Sequence, residues 1–140
     1  MKRAKQLNGS AAEVEAAFYD ALNRADVDAL MALWADDEEI VCIHPGGPRL
    51  IGHAAIREAW SAILEHGGLH ILPSQLHETH NLMSSVHTVI EGTTAATGEP
   101  AHLLATNVYV KTPRGWRIVL HHASVAPGAV PAEVPGQVLH

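Results

Sequence analysis

The 140-residue chain has one cysteine, Cys42, so it cannot close an internal disulfide, and its cysteine usage gives no sign of an oxidising compartment. A small buried apolar role is expected for that residue. No apolar run approaches the roughly 20 residues that cross a bilayer. The start, Met1-Lys2-Arg3-Ala4-Lys5-Gln6, also lacks the apolar stretch of a secretory signal, so a soluble cytoplasmic protein with no membrane partner is expected. Basic residues are scarce. Nine Lys and Arg stand against fifteen Asp and Glu, a net charge of -6, and apart from Lys2, Arg3 and Lys5 they are scattered, which argues against a nucleic-acid partner. There is no glycine-rich phosphate loop after a strand, no Gly-x-Ser-x-Gly elbow and no paired-cysteine metal spacing, so nucleotide cofactors and serine hydrolysis lose support and no cofactor is expected.

What is present is a globular balance, 47% apolar and 17% charged residues, in a length that suits one domain. Ser10-Ala11-Ala12-Glu13 is a capping box, and Val14, Phe18, Ala21, Leu22 and Ala25 follow at helical spacing, predicting a helix from about Ser10 to Arg24. Asp26 caps a second helix with the stripe Val27, Leu30, Met31 and Trp34. The β-branched stretch Glu39 to Ile43 reads as a strand that ends at His44-Pro45-Gly46-Gly47-Pro48, read as loop. Gly52 precedes a third helix with Ile56, Ala59, Trp60, Ile63 and Leu64 on one face, stopped by Gly67-Gly68. Four long strands are then expected, Leu69 to His80, Ser84 to Ala95, Ala101 to Lys111 and Gly115 to Val125, with connections short enough to make them antiparallel neighbours. This order predicts an α+β fold, with three helices covering one face of a curved, mostly antiparallel sheet and a pocket at the wide end. Residues 1-9 are expected to be a flexible start, 10-125 the domain and 126-140 a Pro-rich tail.

The segments Ala21-Leu22-Asn23-Arg24-Ala25-Asp26, Leu33-Trp34-Ala35-Asp36-Asp37, Gly52-His53-Ala54-Ala55-Ile56-Arg57-Glu58 and Gly115-Trp116-Arg117-Ile118-Val119 resemble the nuclear transport factor 2-like superfamily, especially its SnoaL-like and ketosteroid isomerase-like branches. The closing His121-His122-Ala123-Ser124-Val125-Ala126-Pro127 also looks like the end of the association domain of calcium/calmodulin-dependent kinase II. The resemblance implies a cone-shaped fold, homodimers paired through the outer sheet face, and either a cofactor-independent isomerase, cyclase or dehydratase or a non-catalytic binding or assembly domain. Ketosteroid isomerases use a tyrosine on the first helix, a carboxylate base after the first strand and a late-strand aspartic acid. The matching positions here are Phe18 (with Tyr19 adjacent), His44 and Asn107, so the chain departs from that pattern.

Strand alternation puts His44 on the same face as Cys42 and Ile40, where burial would keep the imidazole neutral and basic. His44 is the candidate general base, with Asn107, Tyr109 and His122 as hydrogen-bond donors; a histidine merely bonded at a strand end is the competing reading. Alternation places His122 and Ser124 with Leu120 and Ile118, and His121 on the opposite face with Val119 and Ala123. Tyr19, Trp34, Trp60, Tyr109 and Ser124 are candidate contacts to a small-molecule ligand, although a core role suits both tryptophans. Glu91 shares a face with His87 and Val89, but both faces of that strand carry apolar residues, and the pattern does not decide which is inside. His77-Glu78-Thr79-His80 superficially suggests metal ligands. Strand positions three apart face opposite sides, as do the adjacent His121 and His122, so no metal site is expected. Leu104, Thr106, Val108 and Val110 form an apolar outer face, which predicts a homodimer through the sheets.

Overall fold

A computed structural model of the chain describes residues 9-130. The expected flexible start, apart from Gly9, and most of the expected Pro-rich tail lie outside these residues. The element order is α1 (Ala11–Arg24), α2 (Val27–Met31), β1 (Val41–Ile43), β2 (Arg49–Ile51), α3 (His53–Ile63), β3 (Leu72–His80), β4 (Ser84–Thr94), β5 (Pro100–Thr112) and β6 (Gly115–Val125). The six strands form one curved sheet in the order β2-β1-β6-β5-β4-β3, an α+β architecture as expected. No helix among the described residues is long and apolar enough to cross a membrane.

Helix α1 starts where Ser10 Oγ accepts from the Glu13 amide, while the Glu13 carboxylate takes the Gly9 amide at 3.0 Å. It ends at Ala25 in the left-handed region, where the Ala25 amide reaches Leu22 O and the Asp26 amide reaches Ala21 O. Its buried face carries Val14, Phe18 and Leu22, and also the polar Glu15 and Tyr19. Helix α2 is capped by Asp26 as expected but stops at Met31, short of Trp34. The chain at Leu33–Ala35 instead runs beside β6, with the Ala35 amide on Ile118 O and the Ile118 amide on Leu33 O. Trp34 lies three and four residues after Met31 and Leu30, so it continues their helical spacing in sequence while its backbone pairs with a strand.

Strand β1 pairs in parallel with β6 and antiparallel with β2. The sequence pattern assigns no strand to Arg49–Ile51, because three residues after a Gly-Gly-Pro turn are too few to show alternation. Strands β3 to β6 form the expected antiparallel meander. Helices α1 and α3 lie against its concave face, and Phe18, Leu22, Leu30, Ile40, Ile56, Trp60 and Ile118 form the core between the layers.

Register in the last pair decides which residues line the interior. Val108 pairs with Leu120 but Tyr109 pairs with Ile118, so Val119 is an extra residue in β6, a β-bulge. The bulge breaks simple alternation, and Ile118, His121 and Ala123 all face inward and are buried. His122 and Ser124 are exposed, which corrects the face expected for both and also for His121.

Candidate functional site

Beneath the sheet is a cavity of about 290 Å³, walled by Leu22, Trp60, Ile63, Leu69, Ile71 and Leu103. Three ionisable side chains reach it: His44, Glu91 and His121. Each comes from a different strand or strand end, and the apolar walls come from α1, α3, the segment between α3 and β3, and Leu103 of β5. A mainly apolar concave space with a few convergent polar groups is the usual form of a small-molecule site.

His44 follows β1, where alternation buries Ile40 and Cys42 and brings the imidazole inward as expected. Its ring stands edge-on to Trp60, with centroids 4.5 Å apart. Burial lowers its pKa, favouring the neutral ring. Nε2 lies 3.7 Å from Cys42 Sγ; with Nε2–H directed at the sulfur, Nδ1 keeps its lone pair for a ligand. The Cys42 thiol is no nucleophile, because burial pushes its pKa up to about 12.

Glu91 is almost wholly buried, and burial, together with the charge of Glu15, raises its pKa against the opposing effect of Tyr19. Its Oε2 accepts the Tyr19 hydroxyl at 2.6 Å. Tyr19 thus stands behind the cavity as the support of Glu91, not at its surface. Its own pKa is raised, first by burial and then by Glu91, so it remains a donor.

His121 is buried between Phe18 and Trp60, with ring centroids 5.0 and 5.9 Å away. Burial, followed by the charges of His44 and His122, takes its pKa down to about 3. Its Nδ1 lies 2.6 Å from Asn107 Oδ1.

Asn107 and Tyr109 do face inward, yet neither lines the cavity. They belong to a polar cluster centred on Glu15, whose Oε2 accepts from Tyr109 Oη at 2.8 Å and Asn107 Nδ2 at 3.1 Å and lies 3.0 Å from His87 Nδ1. Asn107 Nδ2 also donates to Tyr19 Oη, and His87 Nε2 meets Glu78 Oε2 at 3.2 Å. Burial is the main cause that raises the Tyr109 pKa, ahead of Glu15.

Of the residues expected at the site, the structure therefore brings His44 and Trp60 to the cavity and keeps Asn107, Tyr109 and Tyr19 one layer behind it. His122 and Ser124 are corrected to the outer side by the bulge. Trp34 lines a different, open groove of about 710 Å³ beside the β5–β6 turn, where Arg114 and Arg117 also lie. Sequence reasoning missed His121, Glu15 and His87. Glu15 was within reach of a helical-wheel reading, since it lies four residues before Tyr19 and seven before Leu22 on the buried face. Among the described residues no three His, Cys, Asp or Glu side chains are grouped to hold a metal ion.

Residues 12-128 match the profile of the SnoaL-like domain family. Comparison with curated proteins gave no match. Among solved structures, a protein from Thiobacillus denitrificans, provisionally named a calcium/calmodulin-dependent protein kinase type II association domain, is 34% identical, with a TM-score of 0.78 over 85% of this chain and 97% of that one. A provisionally named dehydratase of the NTF2-like family from Streptomyces avermitilis is 27% identical, with a TM-score of 0.74 over 84% and 94% of the two chains. A ketosteroid isomerase-like protein from Erwinia carotovora atroseptica, 21% identical with a TM-score of 0.65 over 84% and 94%, shares the fold. With a profile that spans most of its length and a fold shared with these structures, the chain belongs to the SnoaL-like domain family.

Proposed function

We propose that the cavity binds a small uncharged organic molecule and that the protein is a cofactor-independent cytoplasmic enzyme of the isomerase, cyclase or dehydratase type. The observation that carries this reading is the opposed tuning of two groups in one apolar cavity, where burial lowers the pKa of His44 and raises that of Glu91. His44 Nδ1 takes a proton from carbon beside a carbonyl, and Glu91 donates to the oxygen on which charge develops or to a departing hydroxyl. Among the described residues no lysine or arginine lines the cavity, so an anionic ligand would enter uncompensated by them.

A thermal-shift library and native mass spectrometry of the purified protein identify the ligand class, and turnover of the hits is then assayed. His44→Ala is expected to lower kcat by about 10²- to 10⁴-fold with the fold intact. A turnover unaffected by His44→Ala would remove this mechanism.

The likeness to the Thiobacillus association-domain structure supports a second reading, a non-catalytic ligand-binding or assembly domain. Binding without turnover, or large assemblies without binding, would favour it. In either case the outer sheet face, where Leu104 is 49% and Val86 39% exposed, is proposed to pair with a second copy.

A further inference from the structure

Which atom His121 offers a ligand depends on which of its nitrogens carries the proton. Glu15 Oε2 takes the hydroxyl proton of Tyr109, and the same oxygen lies 3.1 Å from the Asn107 side-chain amide and 3.0 Å from His87 Nδ1; an oxygen that accepts there offers Asn107 no proton. The Asn107 side chain must therefore turn its NH₂ toward Glu15, a choice reinforced by the contact of the same nitrogen with Tyr19 Oη. Its Oδ1 is left facing His121, and an amide oxygen has nothing to donate. The proton of the neutral imidazole must then sit on Nδ1.

Nε2 of His121 is left with its lone pair and without a hydrogen-bond partner among the described residues. Nε2 is not one of the side-chain polar atoms that are sealed off without a partner among the described residues. Since the ring lines the cavity, that lone pair is presented to whatever the cavity holds. The chain of residues from α1 through β5 to β6 thus fixes a group in the cavity that no single one of them could fix.

We propose that Glu15 and Asn107 are positioning residues that lock His121 in its Nδ1–H tautomer, making Nε2 a fixed hydrogen-bond acceptor that selects ligands carrying a neutral hydroxyl. The tautomer lock stands on the buried network alone. The choice of ligand rests on the proposed reading of the cavity as a small-molecule site. Glu91 brings a second carboxyl to the same apolar cavity, so the fitting molecule is an uncharged hydroxy compound and not a carboxylate.

The tautomer is measured without any substrate, by ¹⁵N–¹H correlation spectra of histidine-labelled full-length protein at pH 7, with His121 assigned by its loss in His121→Gln. A protonated Nδ1 with an unprotonated Nε2 is expected. An Nε2–H tautomer, or a ring protonated at both nitrogens, would overturn the proposal. In Glu15→Gln, a near-isosteric change that frees the Asn107 amide to turn over, His121 is expected to show a mixture of tautomers; an unchanged single tautomer there would remove Glu15 from the lock. Three probes on one naphthalene frame then test the ligand class: 2-naphthol, 2-methoxynaphthalene and 2-naphthoate. At least fivefold tighter binding of the naphthol than of the other two is expected for the wild type, with the preference over the methoxy compound reduced in Glu15→Gln. Equal or weaker naphthol binding would overturn the hydroxyl selectivity. If the Nδ1–H tautomer is found and none of the three binds, the small-molecule reading of the cavity and the selectivity drawn from it fall together, while the lock stands.

Discussion

Tyr19 on α1 and Glu91 on β4, 72 residues apart in the chain, are joined by a 2.6 Å hydrogen bond in which the phenol donates to the carboxyl oxygen. The bond stabilises the ionised form of Glu91, while burial and the charge of Glu15 act against ionisation. Tyr19→Phe removes only the donor. The Glu91 carboxyl is then expected to titrate at a still higher pH, read by ¹³C NMR of labelled glutamate side chains. A downward move, or none, would mean that the phenol does not hold this carboxyl.

The cavity histidines make stability depend on pH. An unfolded histidine has a pKa near about 6.5, whereas that of His121 is held down to about 3 and that of His44 is also lowered. As pH falls below about 6.5 the unfolded chain binds protons that the folded chain refuses, so stability present at higher pH is progressively lost. Each such group contributes a slope of at most about 1.4 kcal/mol per pH unit. Urea unfolding of wild type and His121→Gln between pH 7.5 and 5 should show the shallower acid loss in the variant. Parallel curves would contradict a neutral buried His121. Glu91 acts in the opposite sense, because its raised pKa weakens the fold as pH climbs from about 4.5 through its folded value.

Gly68 has no room for a side chain. A methyl group there would overlap the backbone carbonyl of Asn23, in the last turn of α1. The same asparagine clamps the following segment, with Nδ2 on Ile71 O at 2.9 Å and Oδ1 taking the Ile71 amide at 2.7 Å. Leu69 and Ile71 are cavity walls, so this clamp sets one side of the site. Gly68→Ala is expected to cost about 1–3 kcal/mol in urea unfolding and to weaken ligand binding. An unchanged midpoint would mean that the segment does not approach α1 so closely.

The outer sheet face offers a separate test. Val108, half-buried on that face beside Leu104 and Val86, should sit within the proposed contact between two copies. Light scattering at micromolar concentration should report a dimer for the wild type and a shift toward monomer for Val108→Asp. A monomeric wild type, with Val108→Asp neutral for solubility, would remove the pairing.

The fold was legible because local signals and tertiary roles agree over most of the chain. The Ser10 cap, the Gly52 start of α3 and the turns between the long strands name the same elements in sequence and in structure. Two features were not legible. Trp34 kept a helical spacing although its backbone pairs with β6, because spacing reports which face is apolar and not which hydrogen bonds the chain makes. Alternation puts His121 and His122 on the opposite faces from those they occupy, because it assumes an unbroken ladder and no residue near Val119 advertises the bulge. His44 was placed by short-range alternation from Ile40 and Cys42, where nothing intervenes. Glu15 is hidden in the sequence because it shares a helical face with an apolar stripe and its partners lie 72 to 94 positions away.

The extra residue at Val119 also bears on how this chain and its relatives are compared. Because it shifts the parity of everything after it in β6, a relative of the same length whose β6 ran on without the bulge would bring His122 instead of His121 to the cavity. Substituting either ring alters a side chain, whereas a bulge gained or lost upstream at constant length exchanges one ring for its neighbour. Column-by-column alignment would register such a pair of proteins as sharing a histidine when the cavity holds different ones.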